Sequence, residues 1–155
     1  MANPKAITLK LSILLIVMFN ARDTISAIFP KVVVTIKNDI APNPTPLDLT
    51  VHCKSKDDDL GFHTIKFREI YMFSFRPNVI PDLNTLFWCS FTWKGSPYRH
   101  YLDIYDERWD DCIHCNWKIN NTNGGCKVLK EGPNYDQCLH WKSIQLMDAN
   151  NTSKI

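Results

Sequence analysis

Three groups of side chains in this 155-residue chain are of the kinds that do chemistry. Lys54, Ser55, Lys56, Asp57, Asp58 and Asp59 form one short charged stretch, and Asp106, Glu107, Arg108, Asp110 and Asp111 crowd a second. Carboxylates this dense suggest a calcium cage, but calcium takes about six to eight oxygens, supplied in binding loops by acids at alternate positions. Three adjacent aspartates diverge, and no bidentate glutamate follows at a suitable distance, so no metal is expected. Cys112-Ile113-His114-Cys115 has the spacing of a redox pair or half a zinc site, with Cys138 and His140 as further ligands on paper. His52, Asp57 and Asp106 could converge as an acid–base set. Yet no serine sits in a G-x-S-x-G elbow and no cysteine is left over as a nucleophile. The expectation is no catalytic residue, no cofactor and no enzyme. A mixed-charge loop suits protein recognition, with a solvated turn capped by its own aspartates as the rival reading.

Such loops need strands to hold them. Leu47 to Cys53 alternates strictly, with Leu47, Leu49, Val51 and Cys53 on one face and Asp48, Thr50 and His52 on the other. That is a half-buried strand delivering the first charged loop. Lys31–Lys37, Phe62–Phe67, Ile70–Arg76, Thr85–Trp93, Tyr98–Tyr105, Ile113–Ile119 and Cys126–Lys130 read as strands in the same way, with turn residues between them. Thr85–Trp93 is apolar on both faces, which suits a central strand. His63 falls on an inner face as a satisfied core imidazole, and Trp88, Trp93 and Trp117 read as core rather than as a sugar-stacking platform. About eight short strands without a helical period predict an all-β fold, an antiparallel β-sandwich of two sheets. Residues 131–155 form a polar C-terminal extension with one apolar patch, Leu139, Trp141, Ile144 and Leu146.

The N-terminus is of another kind. Lys5 and Lys10 precede the apolar run Leu11–Phe19, and small and polar residues reach Ala27. This is the three-part pattern of a secretory signal peptide over residues 1–27. No later run approaches the ~18 apolar residues of a membrane helix. Of the 18 basic and 16 acidic residues, the leader removes three and one, so the 128-residue domain that follows carries 15 of each sign. Formal neutrality argues against nucleic acid or an anionic membrane as partner. The expected location is extracellular, with no membrane insertion, and the expected state is a monomer.

Export gives the six cysteines a meaning. Cys53, Cys89 and Cys115 lie on apolar faces and Cys126 stands beside Val128, so these four are expected to form two core bridges in an open pairing. Cys112 and Cys138 are left for each other. Each bridge contributes roughly 2–4 kcal/mol, mainly by restricting the unfolded chain. Asn120 in a polar turn, and Asn150 and Asn151 near the end, are expected glycan acceptors.

Several stretches together carry a family resemblance: VTIKND near the start, VHCKSKDDDLGFHTI, TLFWCSFTW, YLDIYDER, and CNWKI followed by Gly125 and Cys126. In order and spacing the chain resembles the plant self-incompatibility S-proteins and their S-protein homologues, over nearly the whole exported region. The resemblance implies a small secreted disulfide-bonded β-sandwich acting as an extracellular ligand for a cell-surface membrane protein. In self-incompatibility, a stigma-secreted member is recognised by a pollen membrane protein and calcium signalling follows inside the pollen. It also implies that inter-strand loops carry recognition, here Lys54–Asp59 and Asp106–Asp111. The family often has adjacent Arg and Asp in the second loop, where this chain inserts Trp109. The alternative expectation is a secreted defence protein, a glycan binder or a hydrolase.

Overall fold

Successive residues of an extended chain point to opposite faces, so period-two alternation marks where this chain can form a two-layered core. The computed structural model describes residues 8–18, 30–41, 45–78, 83–122, 124–128 and 136–147. Residues 8–18, inside the expected leader, form a helix with its apolar side chains exposed. No helix among the described residues is long and apolar enough to cross a membrane. The expected cleavage point after Ala27 lies outside the described residues.

From Val32 onward the described chain is a separate unit of strands. They are β1 (Val32–Asn38), β2 (Leu49–Lys54), β3 (Asp59–Ile65), β4 (Ile70–Phe75), β5 (Leu86–Trp93), β6 (Tyr98–Asp106), β7 (His114–Asn120), β8 (Gly124–Val128), β9 (Asp136–Leu139) and β10 (Ser143–Leu146). The first eight fall within a few residues of the alternating runs. They form two five-stranded sheets, ordered β4-β1-β7-β8-β9 and β10-β6-β5-β2-β3. Pairing is antiparallel except between β1 and β7, which run parallel, with Val34 opposite Cys115 and Ile36 opposite Trp117.

The inner faces bury Val34, Ile36, Leu49, Val51, Phe87, Phe91, Ile104 and Ile119 completely or nearly so. Interiors pack at crystal-like density, so these faces approach closely. Gly125 marks one such close approach, where a Cβ would lie 2.3 Å from a Leu102 methyl of the opposite sheet. A polar clamp joins the layers. Asn38, fully buried at the end of β1, donates from Nδ2 to the carbonyls of Leu47 (2.8 Å) and Ile65 (3.0 Å) and accepts from Ile40 N (3.1 Å). Buried polar groups have to be paired in this way.

The segment set apart as a polar extension contributes both late strands. β9 extends one sheet beyond β8, and β10 extends the other beside β6. Between them Trp141 packs on Phe91, Trp93 and His100, with ring centroids 4.8–6.2 Å apart. Four-residue strands carry little alternation, which is why this part was hard to read from the sequence.

The disulfides correct the expected pairing. Cys53 faces Cys89 across β2 and β5, Cys112 closes on Cys115, and Cys126 faces Cys138 across β8 and β9. Only the first bridge lies within the expected core four, and the Cys112–Cys138 bridge does not form. Cys126 shares the outward face of its sheet with Lys118, whereas Cys115 points inward with Trp117 and Ile119, so the two cannot meet.

Candidate functional site

The first charged stretch divides into a turn and a strand. Ser55 N donates to Asp58 O (2.9 Å), and Ser55 Oγ accepts from the amides of Asp57 (3.2 Å) and Asp58 (2.9 Å). A serine hydroxyl thus closes the turn locally, leaving the side chains of Lys56, Asp57 and Asp58 exposed. Asp59 belongs to β3. Its carboxylate meets His52 Nε2 at 2.5 Å and Lys54 Nζ at 2.7 Å, and accepts from Gly61 N at 3.0 Å. The lysine first, and then the histidine, hold its carboxyl well below the usual carboxylate range.

The second stretch is a lock. Asp106, nearly buried, receives Arg108 Nε (2.9 Å), Nη2 (2.6 Å) and backbone N (3.1 Å), a bidentate fork doubled by an Asx turn. Arg108 keeps the Asp106 carboxyl below its ordinary value, against the opposing effect of burial. Asp110 accepts from Asp106 N (2.7 Å) and forms an ion pair with Lys127, both side chains largely buried. Glu107 accepts from Thr85 N (2.7 Å) and donates its own amide to Thr85 O (3.0 Å). Burial among these carboxylates pushes the Tyr105 hydroxyl up to about 12. Asp106, Glu107, Arg108 and Asp110 are therefore spent on holding the loop. Trp109, left at the tip, is 82% exposed, and Asp111 is exposed beside it.

The two stretches share one end of the sandwich. Lys54 lies opposite Trp88, Leu86 lies opposite Asp106, and Thr85 is bonded to Glu107, so residues 83–86 run between the loops. An open cleft of about 250 Å³ separates the first turn from this segment, lined by Ser55, Asp58, Arg76, Asn78, Leu83 and Thr85. Neither Trp109 nor the 83–86 segment stood out as a site residue in the sequence. The inserted tryptophan was the available signal.

The other candidates are dispersed. His52 pairs with Asp59 on the outer face of its sheet, rather than with Asp57 or Asp106. His63 bonds Leu60 O at 2.8 Å and stacks on Tyr71. Cys112 and Cys115 are bonded to each other, and among the described residues no three metal-binding side chains cluster. Asn120 closes the opposite end of β7 from His114, so a glycan there would leave the loop end uncovered. Asn150 and Asn151 lie outside the described residues. Trp117 is core and Trp93 stacks inward on His100, but Trp88 alternates with buried Phe87 and Cys89 and faces outward, against the expectation for it.

Comparison with known proteins bears on the family and the fold. The family model for plant self-incompatibility protein S1 matches residues 33–141. S-protein homolog 5 of Arabidopsis thaliana is 42% identical over 112 residues, covering 71% of this chain and 77% of that protein. S-protein homolog 29 of the same plant is 36% identical over 115 residues, covering 73% and 79%. Among solved structures, one of the self-incompatibility protein homologues aligns with a TM-score of 0.52 at 19% identity. It covers 74% of this chain and 97% of that one, and those proteins are described as a widespread family of small, highly stable, secreted plant proteins.

Proposed function

We propose that this chain, which belongs to the plant self-incompatibility protein S1 family of small secreted proteins, is an extracellular recognition ligand for a cell-surface membrane protein. The contact surface is the loop end, formed by the Ser55–Asp58 turn, the cleft beside it and the Asp106–Asp111 loop. Pollen rejection is one setting for such a ligand, and other cell–cell communication is another.

The observation that carries this reading is Trp109. A tryptophan with 82% of its surface in water has no packing role in the fold, and the turn beneath it is held by a carboxylate–guanidinium fork and a buried ion pair. Binding energy in interfaces concentrates on a few anchors, tryptophan and arginine foremost. A rigid turn spares the entropy otherwise lost on ordering such an anchor. Around it Lys56, Asp57, Asp58 and Asp111 supply a mixed-charge rim suited to orientation and partner choice.

The test is binding of labelled protein to receptive plant cells. Trp109→Ala should lower affinity at least about thirtyfold, the equivalent of the ~2 kcal/mol that marks an interface hot spot. The triple variant Lys56→Ala, Asp57→Ala, Asp58→Ala should slow association and weaken its salt dependence. Both variants should unfold at the wild-type temperature. Undiminished cell binding by folded Trp109→Ala protein would sink the loop assignment.

A further inference from the structure

The outer face of the β10-β6-β5-β2-β3 sheet is built unlike a plain solvated surface. Its middle row crosses all five strands by register: Phe62 opposite His52, His52 opposite Ser90, Ser90 opposite Tyr101 and Tyr101 opposite Ser143. Trp88 stands in the next row with its ring 6.1 Å from that of Tyr101. The row is low in the centre, since Ser90 and His52 are only 5% and 8% exposed, and Phe62 at its edge is 53% exposed. Arg99 reaches from β6 across β5 and β2, its guanidinium carbon 6.0 Å from the centre of the Phe62 ring.

The charges on this face are unequal. Lys54 is paired with Asp59 at 2.7 Å and Lys142 with Asp103 at 2.6 Å. Arg99 has no carboxylate partner among the described residues, and its guanidinium lies beside the exposed Phe62 ring. A guanidinium offers a rigid fork of donors that matches a carboxylate bidentately, and an aromatic ring beside it tolerates both the cation and the C–H face of a sugar ring. Phe62 and Tyr101 are three strand spacings apart, about 14 Å, which suits several linked rings laid flat across the sheet. Around them the Thr50 and Thr64 hydroxyls, 3.3 Å apart, and the Tyr101–Gln145 pair offer hydrogen bonds to ring hydroxyls.

We propose that this face is a second binding site, distinct from the loop end, for an oligosaccharide that carries carboxylates. Arg99 takes the carboxylate, Phe62, Trp88 and Tyr101 supply the stacking faces, and the site binds without cleaving. An acidic peptide shares the negative charge but not the flat ring faces that an aromatic row selects.

Titrating the isotope-labelled secreted chain with a short α-linked galacturonate oligomer, followed by amide chemical shifts, tests this. Saturable shifts should centre on Phe62, Ser90, Arg99 and Tyr101, and a neutral glucose oligomer of equal length should give none. Arg99→Gln should weaken binding at least about tenfold, the loss expected for one charge-assisted bidentate contact. Phe62→Ala should weaken it as well, Trp109→Ala should leave it unchanged, and all three variants should keep the wild-type unfolding temperature. The proposal is overturned by an absence of saturable shifts, by shifts centred on residues 55–58 and 109, or by undiminished binding to folded Arg99→Gln. Equal affinity for the neutral oligomer, or for a glutamate peptide at the same residues, overturns it too.

Discussion

Replacing Asn38 tests how the two sheets are joined. Its side chain makes three hydrogen bonds at 2.8, 3.0 and 3.1 Å, to Leu47 O, Ile65 O and Ile40 N, at a site closed to solvent. A net hydrogen bond contributes about 1 kcal/mol, and a buried partner left unsatisfied costs roughly 1–3 kcal/mol more. Asn38→Ala strands two carbonyls and one amide, and water entering the gap would recover part of the loss. The expected destabilisation is therefore about 3–5 kcal/mol, a fall in Tm of roughly 10–20 °C for a domain of this size. Urea denaturation should show a lower midpoint with an unchanged slope. Asn38→Asp sharpens the test. It keeps the acceptor for Ile40 N but points a second carboxylate oxygen at two carbonyls, which raises its folded pKa above the unfolded value. The unfolded chain then ionises more readily, so the penalty is largest at neutral pH and shrinks as pH falls through the raised folded value. Measured against Asn38→Ala at each pH, the aspartate variant should gain ground between pH 7 and pH 4. A loss below about 1 kcal/mol for the alanine variant, or parallel pH profiles for the two, would refute the clamp.

Other consequences are open to measurement. Gly125→Ala places a methyl 2.3 Å from Leu102, and overpacking of that kind should cost about 1–3 kcal/mol in chemical denaturation. Removing the disulfides one pair at a time, Cys to Ser, should destabilise in the order of loop length. The chain-entropy relation gives about 4 kcal/mol for Cys53–Cys89, about 3 for Cys126–Cys138 and under about 2 for Cys112–Cys115, from separations of 36, 12 and 3 residues. Acid should lower Tm in two stages. Burial lowers the folded pKa of His100 below its ordinary 6.5, so the unfolded chain takes up that proton first and stability falls as pH drops below about 6.5. Asp59 and Asp106 have folded values lowered from 3.8, so their contributions stand above that pH and are lost as pH falls through the folded values. A scan of Tm against pH should lose only its upper stage in His100→Phe; an unchanged profile would count against the reading of His100.

Much of this protein lay open in its sequence because alternation is a local property. Leu49, Val51 and Cys53 had to share a face whatever their partners, and so did Phe87, Cys89 and Phe91; eight strands, the export pattern and the even cysteine count follow from residues near one another. Partnership is not local. Cys126 reads as a core cysteine until β9 brings Cys138 opposite it, and β9 with β10 is too short to show a period. The charged loops were legible as loops, but not the difference between them. Lys56, Asp57 and Asp58 keep exposed side chains because Ser55 closes the turn mainly through the backbone of Asp57 and Asp58, whereas Asp106 and Asp110 are consumed by Arg108 and by Lys127, a residue 17 positions further on. Trp109 stands exposed at the tip while its charged neighbours are tied down. Composition set which side chains stand near the surface; the pairing of distant strands decided which of them are free to bind.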